Sequence, residues 1–125
     1  MYCPNCGAPG AELVSSELRF CPVCQSYFCP PAVLQGLDAV QARRRLIRAL
    51  QEACQAPKRE LADCQTTIEA AEDVAQDIAQ RARVFRASRL EEIADSIAPV
   101  RVQAAALRDT ISRMERQLQQ LTAGG

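Results

Sequence analysis

The residues of this chain whose types and spacing point most directly to chemistry are four cysteines near its start, in Cys3-Pro4-Asn5-Cys6 and Cys21-Pro22-Val23-Cys24. A Cys-x-x-Cys pair wraps a tight turn around one metal ion. Two such pairs supply four thiolates at about 2.3 Å, a closed tetrahedral set that suits one structural Zn2+. Dithiol–disulfide exchange is the competing chemistry, but it needs the pair at a strand-to-helix junction of an α/β unit, and no such pattern surrounds either pair. The chain has no histidine, which removes the Ser-His and Cys-His catalytic pairs and every mixed Cys/His metal site. A catalytic zinc keeps an open position beside an acid or base, and four thiolates leave none. With no phosphate-cradling or acyl-transfer motif either, the reading is non-enzymatic, with no small-molecule substrate.

Residues 7 to 20 separate the two pairs, so a small sheet has to bring them together. Glu12–Ser15 and Leu18–Phe20 read as the strands of a short β-hairpin around Ser16-Glu17, and residues 26 to 28 as a third strand. Gly7 suits the left-handed position on which such a turn ends. Gln25 holds the equivalent place after the second pair. A segment of about 30 residues is too small to fold on an apolar core alone, so metal binding must supply its stability. On these residues the segment 1 to 29 resembles the four-cysteine zinc ribbon. The resemblance implies Cys3, Cys6, Cys21 and Cys24 as ligands of one structural zinc. Cys29, close by in the sequence, competes as a ligand.

Composition changes abruptly near residue 31. Residues 1 to 31 hold five of the seven cysteines, five of the seven prolines and four of the five aromatics. Beyond them Ala, Leu, Gln, Arg and Glu dominate, all good helix formers apart from their charge. The expected organisation is therefore a ribbon at 1–31 and an all-α domain at 32–125. Cys29-Pro30-Pro31 forms the hinge, since the residue before a proline is pushed out of the helical region.

The helical part is written in alternating steps of three and four. One series runs Leu61, Cys64, Ile68, Ala71, Ala75, Ile78, Ala82, Phe85, and a second runs Leu90, Ile93, Ile97, Val100, Ala104, Leu107, Ile111, Met114, Leu118, Leu121. Each is a coiled-coil seam. The phase breaks at Arg86-Ala87-Ser88-Arg89, and Ser88 with Glu91 forms a capping-box pattern. A tight turn at 86 to 88 would make an antiparallel helical hairpin. Reflecting the chain about the point between Ala87 and Ser88 pairs Phe85 with Leu90, Ile78 with Ile97 and Ile68 with Leu107. The alternative is one helix from 58 to 122 that dimerises in trans. Helices are thus expected at about 32–56, 58–86 and 88–122, with a kink near Pro99. The first, carrying Leu34, Leu37, Val40, Ile47, Leu50 and Cys54 on one side, would complete a three-helix bundle. Cys54 and Cys64 fall on seam positions and read as small buried hydrophobes.

Fifteen Lys plus Arg balance fifteen Asp plus Glu, so no global field drives the protein onto nucleic acid or an anionic membrane. Charge is local instead. Arg43, Arg44, Arg45 and Arg48 lie in an acid-free window, and Arg81, Arg83, Arg86 and Arg89 surround the expected hairpin tip. Guanidinium clusters of this kind suit phosphate or an acidic protein surface. In the ribbon, Glu12, Glu17 and Arg19 leave one negative charge, and a zinc tetrathiolate adds two, which makes the ribbon itself a poor phosphate binder.

A zinc ribbon joined to a helical hairpin is similar in architecture to two groups of bacterial regulators. One inserts a coiled-coil tip into the secondary channel of RNA polymerase, and the other comprises coiled-coil zinc-ribbon proteins linked to flagellar assembly. In both the ribbon usually follows the hairpin, and the polymerase factors carry acids at the tip where this chain has arginine, so no functional residue carries over. The expected function is a zinc-binding scaffold or adaptor that joins protein partners or copies of itself. The alternative is a nucleic-acid, ribonucleoprotein or transcription-machinery binder that uses the arginine clusters at 43–48 and 81–89. No apolar run approaches the roughly 18 residues of a membrane span, and Met1-Tyr2-Cys3 opens neither a signal nor a transit peptide. The expected location is the cytoplasm, where cysteine-rich segments are more often metal sites than disulfide frameworks.

Overall fold

The structure, a computed structural model, describes residues 1–81 and 86–123. Three short strands come first: β1 Glu12–Ser15, β2 Leu18–Phe20 and β3 Tyr27–Phe28. Helices follow: α1 Pro31–Leu34, α2 Ala39–Ala53, α3 Gln55–Arg81 and α4 Arg86–Ala123. Among the described residues no helix is long and apolar enough to cross a membrane.

The sheet is antiparallel in the order β1-β2-β3. Glu12 pairs with Phe20 and Leu13 with Arg19, and the register shifts before Ser15 meets Leu18. In the turn, the Ser15 hydroxyl accepts from the Glu17 backbone N–H at 3.3 Å. The Arg19 guanidinium donates to the Ser15 carbonyl at 2.6 Å, bracing the irregular step. β3 lies against β2 with Arg19 opposite Phe28 and Phe20 opposite Tyr27.

The single helix expected over 32–56 is broken. α1 starts on Pro31 and ends after one turn. Gly36 then takes a left-handed φ of +80°, and Asp38 caps a new helix. The Asp38 carboxylate accepts from the Gln41 N–H at 2.8 Å, and the Gln41 side-chain oxygen accepts from the Asp38 N–H at 3.2 Å. This reciprocal cap satisfies two amides that a continuous helix would have bonded internally, so Gly36 and Asp38 together cost the chain little to stop and restart. The inner face shifts accordingly: Leu37 and Val40 are 37% and 59% exposed, while Ala49, Leu50 and Cys54 are buried. Pro57 sits in the first turn of α3, where its missing N–H removes no helical bond.

Contacts divide the chain into two compact units, Met1–Ala56 with Ile111–Gly125, and Pro57–Thr110. In the first, Leu18, Tyr27, Cys29, Ala49, Leu50, Cys54 and Met114 form one buried cluster, so ribbon strands, α2 and the last turns of α4 share a core. Gln117 fastens these layers. Its side-chain oxygen accepts from the Tyr27 N–H at 2.8 Å and its amide nitrogen donates to the Tyr27 carbonyl at 2.7 Å. One side chain thus occupies the outer edge of β3 as a neighbouring strand would.

In the second unit burial follows the expected seams. Leu61, Cys64, Ile68, Ala71, Ala75 and Ile78 are buried or half-buried while every other residue from 58 to 81 is exposed. On α4, Leu90, Ile93, Ile97, Val100, Ala104 and Leu107 are covered in the same way. Pro99 lies inside α4 without interrupting this face, since Ile97 is buried and Val100 half-buried on either side of it. The Arg101 guanidinium pairs with the Glu72 carboxylate at 2.9 Å. These two residues are equidistant from a point between Arg86 and Ala87, one residue from the centre expected for a hairpin.

The turn expected at 86 to 88 is not found there. Arg86, Ala87 and Ser88 belong to α4, so Ser88 does not cap it. None of these residue types breaks a helix, and the phase shift in the seam marks a boundary without fixing it to those positions. Among the described residues α3 runs to Arg81, and α4 already includes Arg86, ahead of the expected start at 88. Ala82 and Phe85 of the expected seam, with Arg83, lie outside the described residues.

Candidate metal centre and arginine clusters

The two cysteine turns are built alike. In the first, the Cys3 N–H donates to the Ala8 carbonyl at 2.9 Å and the Gly7 N–H to the Cys3 carbonyl at 2.8 Å. In the second, the Cys21 N–H donates to the Ser26 carbonyl at 2.9 Å and the Gln25 N–H to the Cys21 carbonyl at 2.8 Å. Each closes on a left-handed residue, Gly7 at φ +75° and Gln25 at φ +60°. The second turn therefore keeps its shape without glycine, holding a side chain where L-residues are disfavoured by about 1 kcal/mol. The Asn5 side-chain amide ties the turns together by donating to the Ser26 hydroxyl at 3.2 Å. The Asn5 backbone N–H points at the Cys3 sulfur, 3.3 Å away.

These turns bring the four sulfurs of Cys3, Cys6, Cys21 and Cys24 within 4.8 Å of one another. The Cys3–Cys24 and Cys6–Cys21 separations are 3.6 and 3.5 Å. A disulfide bond measures about 2.05 Å, so neither is one. Tetrahedral ligands about 2.3 Å from a common ion would lie roughly 3.8 Å apart, close to the two observed edges. The residues present therefore fit one four-coordinate metal ion. Cys3 and Cys21 are 2% and 1% exposed, packed on Phe28, while Cys6 faces solvent.

Proton sharing in the cluster runs the same way. The Ser26 hydroxyl bonded to Cys24 brings its thiol down to about 6. At Cys6 the Ala8 backbone N–H favours the thiolate, but burial and the three neighbouring sulfurs outweigh it and push the thiol up to about 11. Four sulfurs this close cannot all ionise on their own, and a dication removes the conflict. Cys29 does not compete for the ion: it is 4% exposed in the apolar cluster around Leu50, where burial raises its pKa. Cys54 lies in that cluster too, its sulfur 3.5 Å from that of Met114.

The arginines of each cluster are spread over more than one surface. On α2, Arg45 turns to the ribbon and pairs with Glu17 in the β1–β2 turn. Arg48 lines a groove together with Arg45, Glu17 and Glu52, Arg43 faces another groove beside the second cysteine turn, and Arg44 is exposed. Consecutive helical residues point about 100° apart, which is why Arg43, Arg44 and Arg45 face different ways, while Arg48, three residues on, shares the face of Arg45. In the second cluster Arg81 pairs with Asp77 at 2.9 Å, and Arg86 and Arg89 are exposed on the first turns of α4. Sequence reading missed Arg113 and Gln117. The Arg113 guanidinium lies over the Phe20 ring, 5.3 Å from its centroid, a cation–π contact. Both residues lie beside the seam residue Met114 on α4 and are half-buried, but their partners are distant in sequence and no local pattern signals them.

No protein-family model matches the chain, and the searches found neither a curated protein nor a solved structure significantly similar to it.

Proposed function

We propose that the chain is a non-enzymatic scaffold whose single zinc ion, held by Cys3, Cys6, Cys21 and Cys24, builds a ribbon on a helical platform for contact with another protein or a second copy. The observation that carries this reading is the sulfur cluster itself. Four thiolates fill a tetrahedral ion, so the metal stabilises and does not react. Soft sulfur donors favour zinc over calcium or magnesium, and a reducing compartment such as the cytoplasm keeps the thiols available. Tyr2, Leu13 and Val23 of the ribbon remain 72%, 72% and 69% exposed, apolar surface in keeping with a docking role. In the second unit, the covered seams of α3 and α4 suit an antiparallel coiled-coil hairpin. Light scattering on the zinc-loaded chain, alone and after native co-purification, tests the reading. An oligomer or a stoichiometric complex is expected, whereas a strict monomer without any partner would contradict it.

A second reading has one observation in its favour. Arg86 and Arg89 begin α4 with no acid in its first turn, concentrating positive charge at the positive end of the helix dipole. Such a point suits nucleic acid. It predicts gel-shift affinity that falls steeply with salt and is lost on changing Arg86 and Arg89 to Gln.

A further inference from the structure

The four sulfurs of the cysteine centre are not equally sheltered. Cys3 and Cys21 are buried and Cys24 is half-buried, whereas Cys6 is exposed, alone among the seven cysteines of the chain. The Cys6 sulfur lies 3.5 Å from that of Cys21 on the opposite turn. A second pair, Cys3 with Cys24, crosses between the turns at 3.6 Å. A solvent-facing sulfur therefore has a covered one within reach of it.

We infer that Cys6 is a modification site for hydroperoxides, and that Cys21 completes its oxidation and so opens the metal centre. Susceptibility of a cysteine to oxidation follows its thiolate character and its exposure. Ligation to a metal ion supplies the first, since a liganding sulfur has lost its proton, and the position of Cys6 supplies the second. In the first step the Cys6 thiolate attacks one peroxide oxygen, the O–O bond breaks, hydroxide leaves and Cys6 carries a sulfenic acid. In the second, the Cys21 thiolate attacks the Cys6 sulfur, the S–O bond breaks and a second hydroxide leaves, with a Cys6–Cys21 disulfide formed. Two electrons pass from the sulfur pair to the peroxide. The two sulfurs must approach by about 1.5 Å to bond. Only Cys3 and Cys24 then remain as ligands, too few for a closed structural site, and the zinc is released. A second equivalent of peroxide joins Cys3 to Cys24 by the same two steps. Both bonds link one turn to the other, so covalent cross-links replace the metallic one. The inference rests on the zinc-scaffold reading and adds the regulation of its centre.

One equivalent of hydrogen peroxide, added to the zinc-loaded full chain, tests it. Released zinc is followed with a weak chromogenic chelator, free thiols are then blocked with N-ethylmaleimide, and disulfides are mapped by mass spectrometry after trypsin. Cleavage at Arg19 and Arg43 separates the turns: residues 1–19 carry Cys3 and Cys6, and residues 20–43 carry Cys21, Cys24 and Cys29. The two fragments should be joined through Cys6 and Cys21, with Cys3, Cys24 and Cys29 blocked, and zinc should appear in step with the link. Separate fragments with Cys3–Cys6 or Cys21–Cys24 bonds would overturn the assignment. Cys6→His keeps a four-ligand site of the three-cysteine, one-histidine kind and removes the oxidisable sulfur. Its peroxide-driven zinc release should slow roughly tenfold or more, while Cys24→His, which keeps the Cys6–Cys21 pair, should release zinc at close to the unsubstituted rate. Undiminished release from Cys6→His would also overturn it. Metal content shows that each variant is loaded, and the fragment map of the unsubstituted chain decides the matter if one is not. A chain that binds no zinc when reduced sinks the scaffold reading's metal centre; a loaded chain that keeps its zinc under peroxide sinks this inference alone.

Discussion

In the unit Met1–Ala56 with Ile111–Gly125, two strands and two helices converge on Leu18 and Leu50, both fully buried. In the unit Pro57–Thr110, burial falls on one residue in every third or fourth along each helix, and the most deeply covered side chain is that of Ala104. The first depends on a few keystones: four sulfurs, one leucine pair and one glutamine. The second spreads a shallow seam over many equivalent positions, with long helices supplying much of the order. A keystone structure fails when one member is removed, whereas a periodic one loses only a local increment.

The largest effect should come from the metal. Structural zinc contributes on the order of 10 kcal/mol or more to small cysteine modules, so chelation, or Cys21→Ser, should abolish the tertiary packing of the first unit. Near-ultraviolet circular dichroism from Tyr27 should disappear, and far-ultraviolet helical signal from Pro57–Thr110 should persist. Acid should act in the same direction. Cys6, pushed up to about 11, must give up a proton on metal binding, whereas Cys24, brought down to about 6, is already ionised at neutral pH. Metal uptake therefore releases protons, and a competition titration with a chelator should show affinity rising with pH and collapsing below about pH 6 as Cys24 also protonates.

Next is Leu50→Ala, which removes a fully buried side chain at the centre of the keystone core. Urea unfolding of the zinc-loaded protein should show a loss of about 3 kcal/mol in the first unit. Ala104→Gly, in the seam of the second unit, should cost only about 1 kcal/mol, mostly through helix propensity. Equal losses would erase the contrast between the units.

Gln117→Ala is more selective. It leaves the Tyr27 N–H and carbonyl without the partner that closes the β3 edge, a cost of about 2 kcal/mol. Amide exchange at Tyr27 should accelerate in this variant. Unchanged exchange there would mean that the shared core alone holds the ribbon. The smallest effect has the opposite sign: Gln25→Gly relieves the left-handed strain of the second cysteine turn and should raise stability by about 1 kcal/mol.

How much of this was legible in the residues follows the same contrast. The seam positions could be read one by one because a helix imposes its period on every residue it buries. The four cysteines were equally legible, since a metal dictates spacing within each turn. The interruption at Gly36-Leu37-Asp38 was available too, as a glycine followed by a capping Asp with Gln41 three residues on, but the apolar spacing of Leu34, Leu37 and Val40 masked it. Leu37 and Val40 turned out exposed because the restart at Asp38 rotates α2 and brings Ala49, Leu50 and Cys54 inward. Gln117 and Arg113 were not legible: their partners, Tyr27 and Phe20, lie some ninety residues away. No local pattern announces a side chain that completes a distant sheet edge. The compositional break near residue 31 likewise conceals that ribbon and α2 share one core.

Hydrogen exchange with and without a chelator reads the central claim, that the four-sulfur centre holds the ribbon and its helical platform as one cooperative body. Removal of the metal should strip protection from β2 and β3 and, with them, from the α2 amides around Ala49 and Leu50, while amides from Leu61 to Ile78 keep theirs. Retained protection in α2 while the strands exchange freely, or loss of protection along the α3 seam, would contradict it.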